Sequence, residues 1–422
     1  MTSSKLTPPP LQNDCFALPP GVKWTPVADA HAMLQRRLDV VVGTEVLSVR
    51  DAFGRVLAAP VIAKRSNPPA ANSAVDGYAV AGATFEAGTH VVALVDGRSA
   101  AGQPYSGTVP KGQALRILTG AAMPVGTDTV ILQEDVTLGE QEIAFRGPLK
   151  LSANARKAGE DFATGDEVLP SGRRITATDM ALLTASGAQD VTVRKPLRVA
   201  VISTGDELAE AGESATPDQI YDANRPMLLS MAKRLGHDVV DLGRIADNRE
   251  DVRAALDDAA QRADVILTSG GASAGDEDHM SALLQETGAM ALWRLAIKPG
   301  RPLALGMWNE TPVFGLPGNP VAAGVCALIF ATPAMGVLAG EGWQEPEGVL
   351  LPASFEKRKK AGRREYLRAR VREGQVEAFA SEGSGRISGL SWADGLVELP
   401  DEAMDIKPGT LVRYFSYRDF GL

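Results

Sequence analysis

Apolar positions change their spacing along the chain, and each change predicts a different kind of element. From residue 25 onward, Val27, Ala30, Met33, Leu34 and Leu38 recur at steps of three and four, which predicts one amphipathic helix. Thr25 and Pro26 read as its N-cap and first-turn pair, and Pro68-Pro69 breaks the pattern. Short β-rich runs at 90–95, 114–118 and 129–136 follow, separated by turns at Asp96-Gly97, Pro110-Lys111-Gly112 and Gly126-Thr127-Asp128. They predict an all-β region. The pattern then becomes mixed, with a helix expected over 178–186, which permits one domain to be inserted inside another.

Over 196–345 strands and helices alternate. Strands are expected at 197–202, 239–242, 265–268, 292–297, 303–307 and 313–315. Helices are expected at 224–235, 249–261, 279–285 and 321–338. Short apolar strands separated by helices of this length predict a mostly parallel sheet covered on both faces. Beyond 346 short strands and turns return, as in a closing β-barrel. The expected fold class is therefore multidomain, α/β plus β. The expected parts are a mobile tail at 1–23, an elongated discontinuous domain at 24–68 and 150–195, an inserted β-domain at 69–149, an α/β domain at 196–345 and a C-terminal β-barrel at 346–422.

Composition narrows the function without naming it. At 422 residues, with 45% apolar and 23% charged residues, there is material for several cores. The sequence offers no apolar run near the roughly 20 residues that span a bilayer, and no signal-peptide h-region, so a cytoplasmic protein without a membrane partner is expected. Cys15 and Cys326 form no CxxC pair, and the histidines at 31, 90, 237 and 279 have no metal-ligand spacing. A hard cation such as Mg²⁺, held by carboxylates, is the metal to expect. The net charge of −9 argues against nucleic acid. One basic run stands out, nine Lys or Arg between Lys357 and Arg372 with Glu365 among them. With Tyr366 as its single aromatic it lacks the interleaving of a single-strand platform. It reads as a mostly solvated edge strand, from which one or two cations could reach an anion site at an interface.

In an open parallel sheet, ligands bind beyond the carboxyl ends of the strands. Those positions carry Ser203-Thr-Gly-Asp-Glu207, Thr268-Ser-Gly-Gly-Ala-Ser-Ala-Gly-Asp-Glu-Asp278 and Gly315-Leu-Pro-Gly-Asn-Pro320. Gly270, Gly271 and Gly275 with Ser273, leading into a helix start, suit a phosphate. The segment matches neither the dinucleotide nor the Walker A pattern. Asp206, Glu207, Asp247, Asp276 and Asp278 could together hold Mg²⁺ with substrate phosphates. Arg294 and Lys298 are an even number apart, which on one strand would place them on one face, and Arg301 follows. Each of these segments also has a plain structural reading: a turn, a rigid αβ connection, or a charged strand end.

Together the segments are specific. SAVDGYAV (73–80), RILTGA (116–121), ILQE (131–134), GEDFATG (159–165), STGDEL (203–208), TSGGASAGDED (268–278), AIKPGRP (296–302) and GLPGNP (315–320) occur in this order. The chain resembles the molybdopterin molybdenumtransferases, the MoeA proteins and the E-domain of gephyrin-like proteins, from about residue 24 onward. The resemblance implies a MogA-like α/β sandwich and a homodimer whose active site lies between the α/β domain of one subunit and the β-domain of the other. It implies adenylyl-molybdopterin and molybdate as substrates, Mg²⁺ as cofactor, and release of AMP. A separate molybdopterin-adenylating protein would donate the substrate, and apo-molybdoenzymes or cofactor carriers would accept the product. By motif, the functional positions are Asp76, Thr119, Asp161, Glu207, Asp247, Asp278, Lys298, Arg301, Pro317 and Pro320, with Glu207, Asp247 and Asp278 at the metal. Arg368 and Ser384 correspond to positions near the molybdate pocket. Arg294 stands where the family often has Lys, which keeps anion binding and removes proton transfer. The rival readings are a receptor-clustering scaffold, an adenylating enzyme and a nucleotide hydrolase.

Overall fold

The computed structural model describes residues 24–270, 279–286, 292–300 and 302–422. The chain forms two compact units, one of residues 43–195 and one combining the N-terminal residues to Val42 with Pro196–Leu422.

In the 43–195 unit the principal sheet has six strands. Their order is Thr129–Leu132, Gly77–Val80, Ala114–Ile117, Gly88–Ser99, Glu142–Gly147 and Thr137–Leu138. All neighbours run antiparallel except Gly88–Ser99 beside Ala114–Ile117. The short runs expected at 90–95 and 114–118 are strands, whereas the one expected at 129–136 is a strand only over Thr129–Leu132, with a 3-10 turn at Gln133–Asp135. Gly77–Val80 was read only as part of a motif, yet it is buried at every position and pairs on both sides. Gly77 is needed there, because a Cβ would lie 1.9 Å from the Ile131 carbonyl oxygen. A separate part of this unit, with its own core, pairs Thr44–Ser48 with Asp190–Arg194 and Val61–Ile62 with Glu167–Leu169. Its helix, Ala177–Ala185, starts at a capping box in which Thr176 and Asp179 exchange hydrogen bonds.

The other unit holds the α/β sheet, in the order Asp238–Ile245, Arg198–Thr204, Val265–Ser269, Thr311–Leu316, Pro302–Trp308, Leu292–Arg294. The first four strands are parallel, and Pro302–Trp308 runs antiparallel to both its neighbours, Thr311–Leu316 and Leu292–Arg294. Five buried residues in a row on Val265–Ser269 show a strand covered on both faces. One core includes Leu228 and Phe330, and the other includes Leu256 and Leu283.

Several sequence expectations need correction. Thr25 is not the N-cap of the first helix. It forms a bridge with Leu295, Pro26 takes the cap position, and the helix runs Val27–Arg37. The strand expected at 292–297 is two strands: Leu292–Arg294 belongs to the α/β sheet, and Ile297–Lys298 pairs with Arg364–Arg372 in the next sheet. Arg294 and Lys298 therefore sit on different sheets, and their even spacing does not give them a common face. Finally, the helical run Pro320–Leu338 is 19 residues long with mean hydropathy 2.1, long and apolar enough to cross a membrane by length and composition. Here 89% of it is buried inside the protein, as a core helix with a π turn at Ala327–Ala331.

The C-terminal sheet runs Ile297–Lys298, Arg364–Arg372, Gly395–Leu399, Leu411–Ser416, Val349–Pro352, with Gln375–Ala378 also paired to Arg364–Arg372. A bridge from Ala353 to Val376 returns the far edge to that last strand, giving a closed, barrel-like ring. The basic run is thus not mostly solvated, and its longer strand, Arg364–Arg372, is not an edge, whereas Lys357–Lys359 pairs only with Met404–Ile406 among the described residues. Lys357, Lys359, Arg364 and Arg368 all have side chains largely withdrawn from water. Each meets carboxylates or backbone carbonyls.

Candidate active site

In the 43–195 unit, Asp76 follows the 73–75 segment and precedes Gly77. One of its carboxylate oxygens accepts from the Thr119 amide at 2.6 Å and from the Thr119 hydroxyl at 2.7 Å. These hydrogen bonds, with the nearby Arg116 cation, hold the Asp76 carboxyl below its ordinary range although it is exposed to water. The other oxygen remains available to a ligand. Arg116 is itself fixed: it donates to the Gly77 carbonyl at 3.2 Å and to Gln133 at 2.7 Å, and it lies over the Tyr78 ring. The exposed Asp161 carboxylate accepts from Asn67 at 3.0 Å, and three backbone bonds tie the same pair of segments. Neither Arg116 nor Asn67 was singled out from sequence. The signal for Asn67 was its place before Pro68-Pro69, which favours extended backbone and a fixed direction.

In the α/β unit the first, third and last loops converge through close backbone approach. Gly270 has φ +89°, and a Cβ on it would lie 2.3 Å from the Thr204 carbonyl oxygen. A Cβ on Gly318 would lie 3.8 Å from the Gly270 Cα. Asn224, the first residue of helix Asn224–Arg234, joins two of these loops. Its amide donates to Ser269 Oγ and to the Gly318 carbonyl, both at 2.7 Å. Sequence reading placed that helix but missed this residue. Its signal was a polar side chain opening a helix whose start faces the strand ends. Around the junction Ser203 Oγ, Thr204 Oγ1, Thr268 Oγ1 and Asn224 Oδ1 are buried, with no hydrogen-bond partner among the described residues. Buried polar atoms are rarely left so, because each costs about 1–3 kcal/mol unpaired. Their clustering at strand ends marks a place built to receive polar groups.

Of the carboxylates, Glu207 is exposed and folds back over Gly205, where a Cβ would lie 2.6 Å from Glu207 Oε2. Asp206 accepts from the Asp247 amide at 3.3 Å, which brings the first and second strand ends together. Arg225 engages Glu210, Asp222 and Asp241, so those acids are already committed to a cation. Among the described residues no three His, Cys, Asp or Glu side chains converge. The described donors, Glu207, Asp206 and Asp247, are all carboxylates. They suit a hard cation that takes one or two protein ligands and the rest from phosphate, and they do not form a closed protein cage.

The C-terminal sheet completes this side. Lys298, paired in register with Glu365, reaches Glu382 at 2.6 Å and Glu365 at 3.4 Å. Lys357 reaches Glu365 at 3.1 Å and also pairs with Glu382. Arg368 is buried over the Phe379 ring and donates to the carbonyls of Arg386 at 2.5 Å, Gly383 at 3.2 Å and Ser381. Burial pulls its guanidinium below the ordinary value. The loop it holds carries Ser384, whose carbonyl accepts from the Val321 amide at 3.1 Å. That contact sets Ser384 against the helix start at Pro320, where Pro320 occupies the first turn behind Asn319. Pro317 is buried between strand and helix. The structure thus gathers Gly270, Pro317 and Pro320 at the strand-end junction, and Lys298, Arg368 and Ser384 at the adjoining sheet. The main chain of Arg294 is bonded to Thr25. Gly271, Ser273, Gly275, Asp276, Asp278 and Arg301 lie outside the described residues. Asp76, Thr119 and Asp161 belong to the other unit.

Comparison with known proteins agrees along the chain. Residues 25–187 match the MoeA N-terminal region (domain I and II), 200–336 a probable molybdopterin binding domain, and 351–416 the MoeA C-terminal region (domain IV). A Haemophilus influenzae protein named molybdopterin molybdenumtransferase is 35% identical over 390 residues, covering 91% of this chain and 96% of that protein. A Nostoc protein of the same name is 32% identical over 412 residues, covering 93% and 92%. The crystal structure of the Pyrococcus horikoshii OT3 molybdopterin biosynthesis MoeA protein superposes with a TM-score of 0.81 at 26% identity, covering 94% of this chain and 100% of that one. With three successive regional matches and relatives that similar over nearly their whole length, the chain belongs to the MoeA family of molybdopterin molybdenumtransferases.

Proposed function

We propose that this chain performs the reaction its family is named for, in the following form. Molybdenum from molybdate enters the dithiolene of adenylyl-molybdopterin, the phosphoanhydride is cleaved, and AMP leaves with the finished cofactor. The observation that carries the proposal is the meeting of three strand-end loops around Gly270, lined by buried polar atoms without described partners, beside a lysine-bearing sheet. Apolar chemistry has no use for such a place, whereas a pyrophosphate needs backbone donors and cations.

The roles divide by chemistry. Gly270, with Gly271, Ser273 and Gly275, lets the backbone approach the pyrophosphate. Lys298, Arg294 and Arg301 hold phosphate or molybdate as fixed cations. Pro317 and Pro320 fix the loop opposite. Glu207 and Asp247, with Asp278, would hold Mg²⁺, which supplies charge neutralisation at the phosphoanhydride. Arg368 shapes the loop that presents Ser384. Asp76, Thr119 and Asp161 act from a second copy of the chain in a homodimer. Asp76 arrives as a carboxylate already ordered by Thr119. We keep the division of the chain into 24–68 with 150–195, 69–149, 196–345 and 346–422 as the functional one. The adenylated substrate comes from a separate adenylating protein, the product passes to apo-molybdoenzymes or carriers, and the reaction is assigned to the cytoplasm.

The test is AMP release from adenylyl-molybdopterin by purified protein with Mg²⁺, with and without molybdate. Molybdate-dependent release together with active cofactor is expected. Release indifferent to molybdate would show a hydrolase, and tight binding without release a scaffold.

A further inference from the structure

The four charged groups at Lys298, Lys357, Glu365 and Glu382 are unequal. Three stand on strands: Ile297–Lys298, Lys357–Lys359 and Arg364–Arg372. Glu382 alone stands on an irregular segment. Glu365 has a side chain 8% exposed, and that of Glu382 is 44% exposed. Glu365 is thus a fixed partner, locked by register against Lys298. Glu382 bridges both ammonium groups from the solvent side.

The backbone around Glu382 cannot move easily, because Arg368 donates to the carbonyls on both sides of it, at Ser381 and Gly383. A rotation of the Glu382 side chain alone would uncover both lysines without opening the loop. With Glu382 turned away, the two ammonium groups and Glu365 leave one net positive charge. They also leave several N–H donors aimed at one point, beside the loop that carries Ser384. That is a receptor for a small oxyanion.

We propose that Glu382 is an exchangeable internal counter-anion, and that Lys357 is a second ammonium of the oxyanion site that Lys298 serves. An incoming tetrahedral oxyanion of the molybdate class replaces the Glu382 carboxylate on Lys298 and Lys357. The exchange raises the concentration of oxyanion the protein needs, and it excludes anions too weakly charged to compete. This rests on the assignment of Lys298 to the anion site made above.

The experiment is calorimetric titration of the full-length protein with sodium molybdate alone, at low ionic strength, across the unaltered chain and four variants. Relative to the unaltered chain, Glu382→Gln should bind about tenfold more tightly, because a neutral amide competes poorly for an ammonium. Lys357→Gln should bind about tenfold more weakly, and Lys298→Gln more weakly still. In turnover, Glu382→Gln should lower KM for molybdate without raising kcat, a split that a merely structural ion pair would not produce. Glu382→Asp keeps the charge on a shorter reach and should fall between, which covers the case of a poorly folded amide variant. If the unaltered chain binds molybdate through Lys298 but Glu382→Gln and Glu382→Asp bind equally or more weakly, the exchange is overturned and the site stands. If Lys298→Gln leaves binding unchanged, or no protein binds molybdate, the site assignment itself is overturned, and the exchange with it.

Discussion

Asp76 and Lys298 show two ways of holding a charged side chain ready. Asp76 is exposed, and its order comes from one neighbour, Thr119, through two short hydrogen bonds. Lys298 lies in a web of four charges whose outer shell is Arg368, buried and bonded to three carbonyls. The first arrangement is local, so it can fail without harming the fold. The second is shared with the packing of the C-terminal sheet, so function and stability there are coupled.

The sharpest test of that contrast is Arg368→Leu, which takes the buried donor away from three backbone carbonyls and should cost about 3 kcal/mol in chemical denaturation. A loss no larger than that of a surface substitution would remove the coupling. Asp76→Asn should do the reverse. AMP release should fall about 100-fold in the full assay, with an unchanged melting temperature. If it melts earlier, Asp76 is not the separable group described here. Asn224→Ala removes two hydrogen bonds between the converging loops and should cost about 2 kcal/mol, again by denaturant titration.

Thr119→Val is smaller, about tenfold in turnover, and its signature lies in pH. The folded-state pKa of Asp76 is depressed, so the carboxylate persists as pH falls and is lost only on passing that lowered value. Without the Thr119 hydroxyl the pKa rises toward the ordinary range, and the acid limb of the rate profile moves to higher pH. An unmoved limb would deny Asp76 a role in the rate. Asn67→Ala frees the Asp161 carboxylate and should lower turnover only about threefold, seen at saturating substrate.

The legibility of the molecule followed the range of the forces. The alternation of strand and helix over 196–345 was readable, because periodic burial is written into each segment. The strand-end loops were readable too, since Gly270 declares its need for close approach. What failed was non-local. The break between Leu292–Arg294 and Ile297–Lys298 is dictated by pairing to Arg364–Arg372, about 70 residues away, so spacing alone could not show it. The basic run looked solvated because its carboxylate partners, Glu382, Glu398 and Asp401, come from later in the chain. Asn224 and Asn67 carried only weak local signals for the same reason: each is defined by what it ties together.

The core helix Pro320–Leu338 has a consequence for synthesis on the ribosome. Its cover includes Val27, Ala30 and Leu34 from the first helix, made long before it, and Tyr366, Leu396, Phe415 and Phe420, made long after. A nascent chain halted after Leu338 would carry 19 residues of membrane-grade apolarity with Tyr366, Leu396, Phe415 and Phe420 of their core still untranslated. Such a chain is a natural client for a holding chaperone and a poor candidate for early release. Shielding of that segment is completed only when residues as late as Phe420 have joined it.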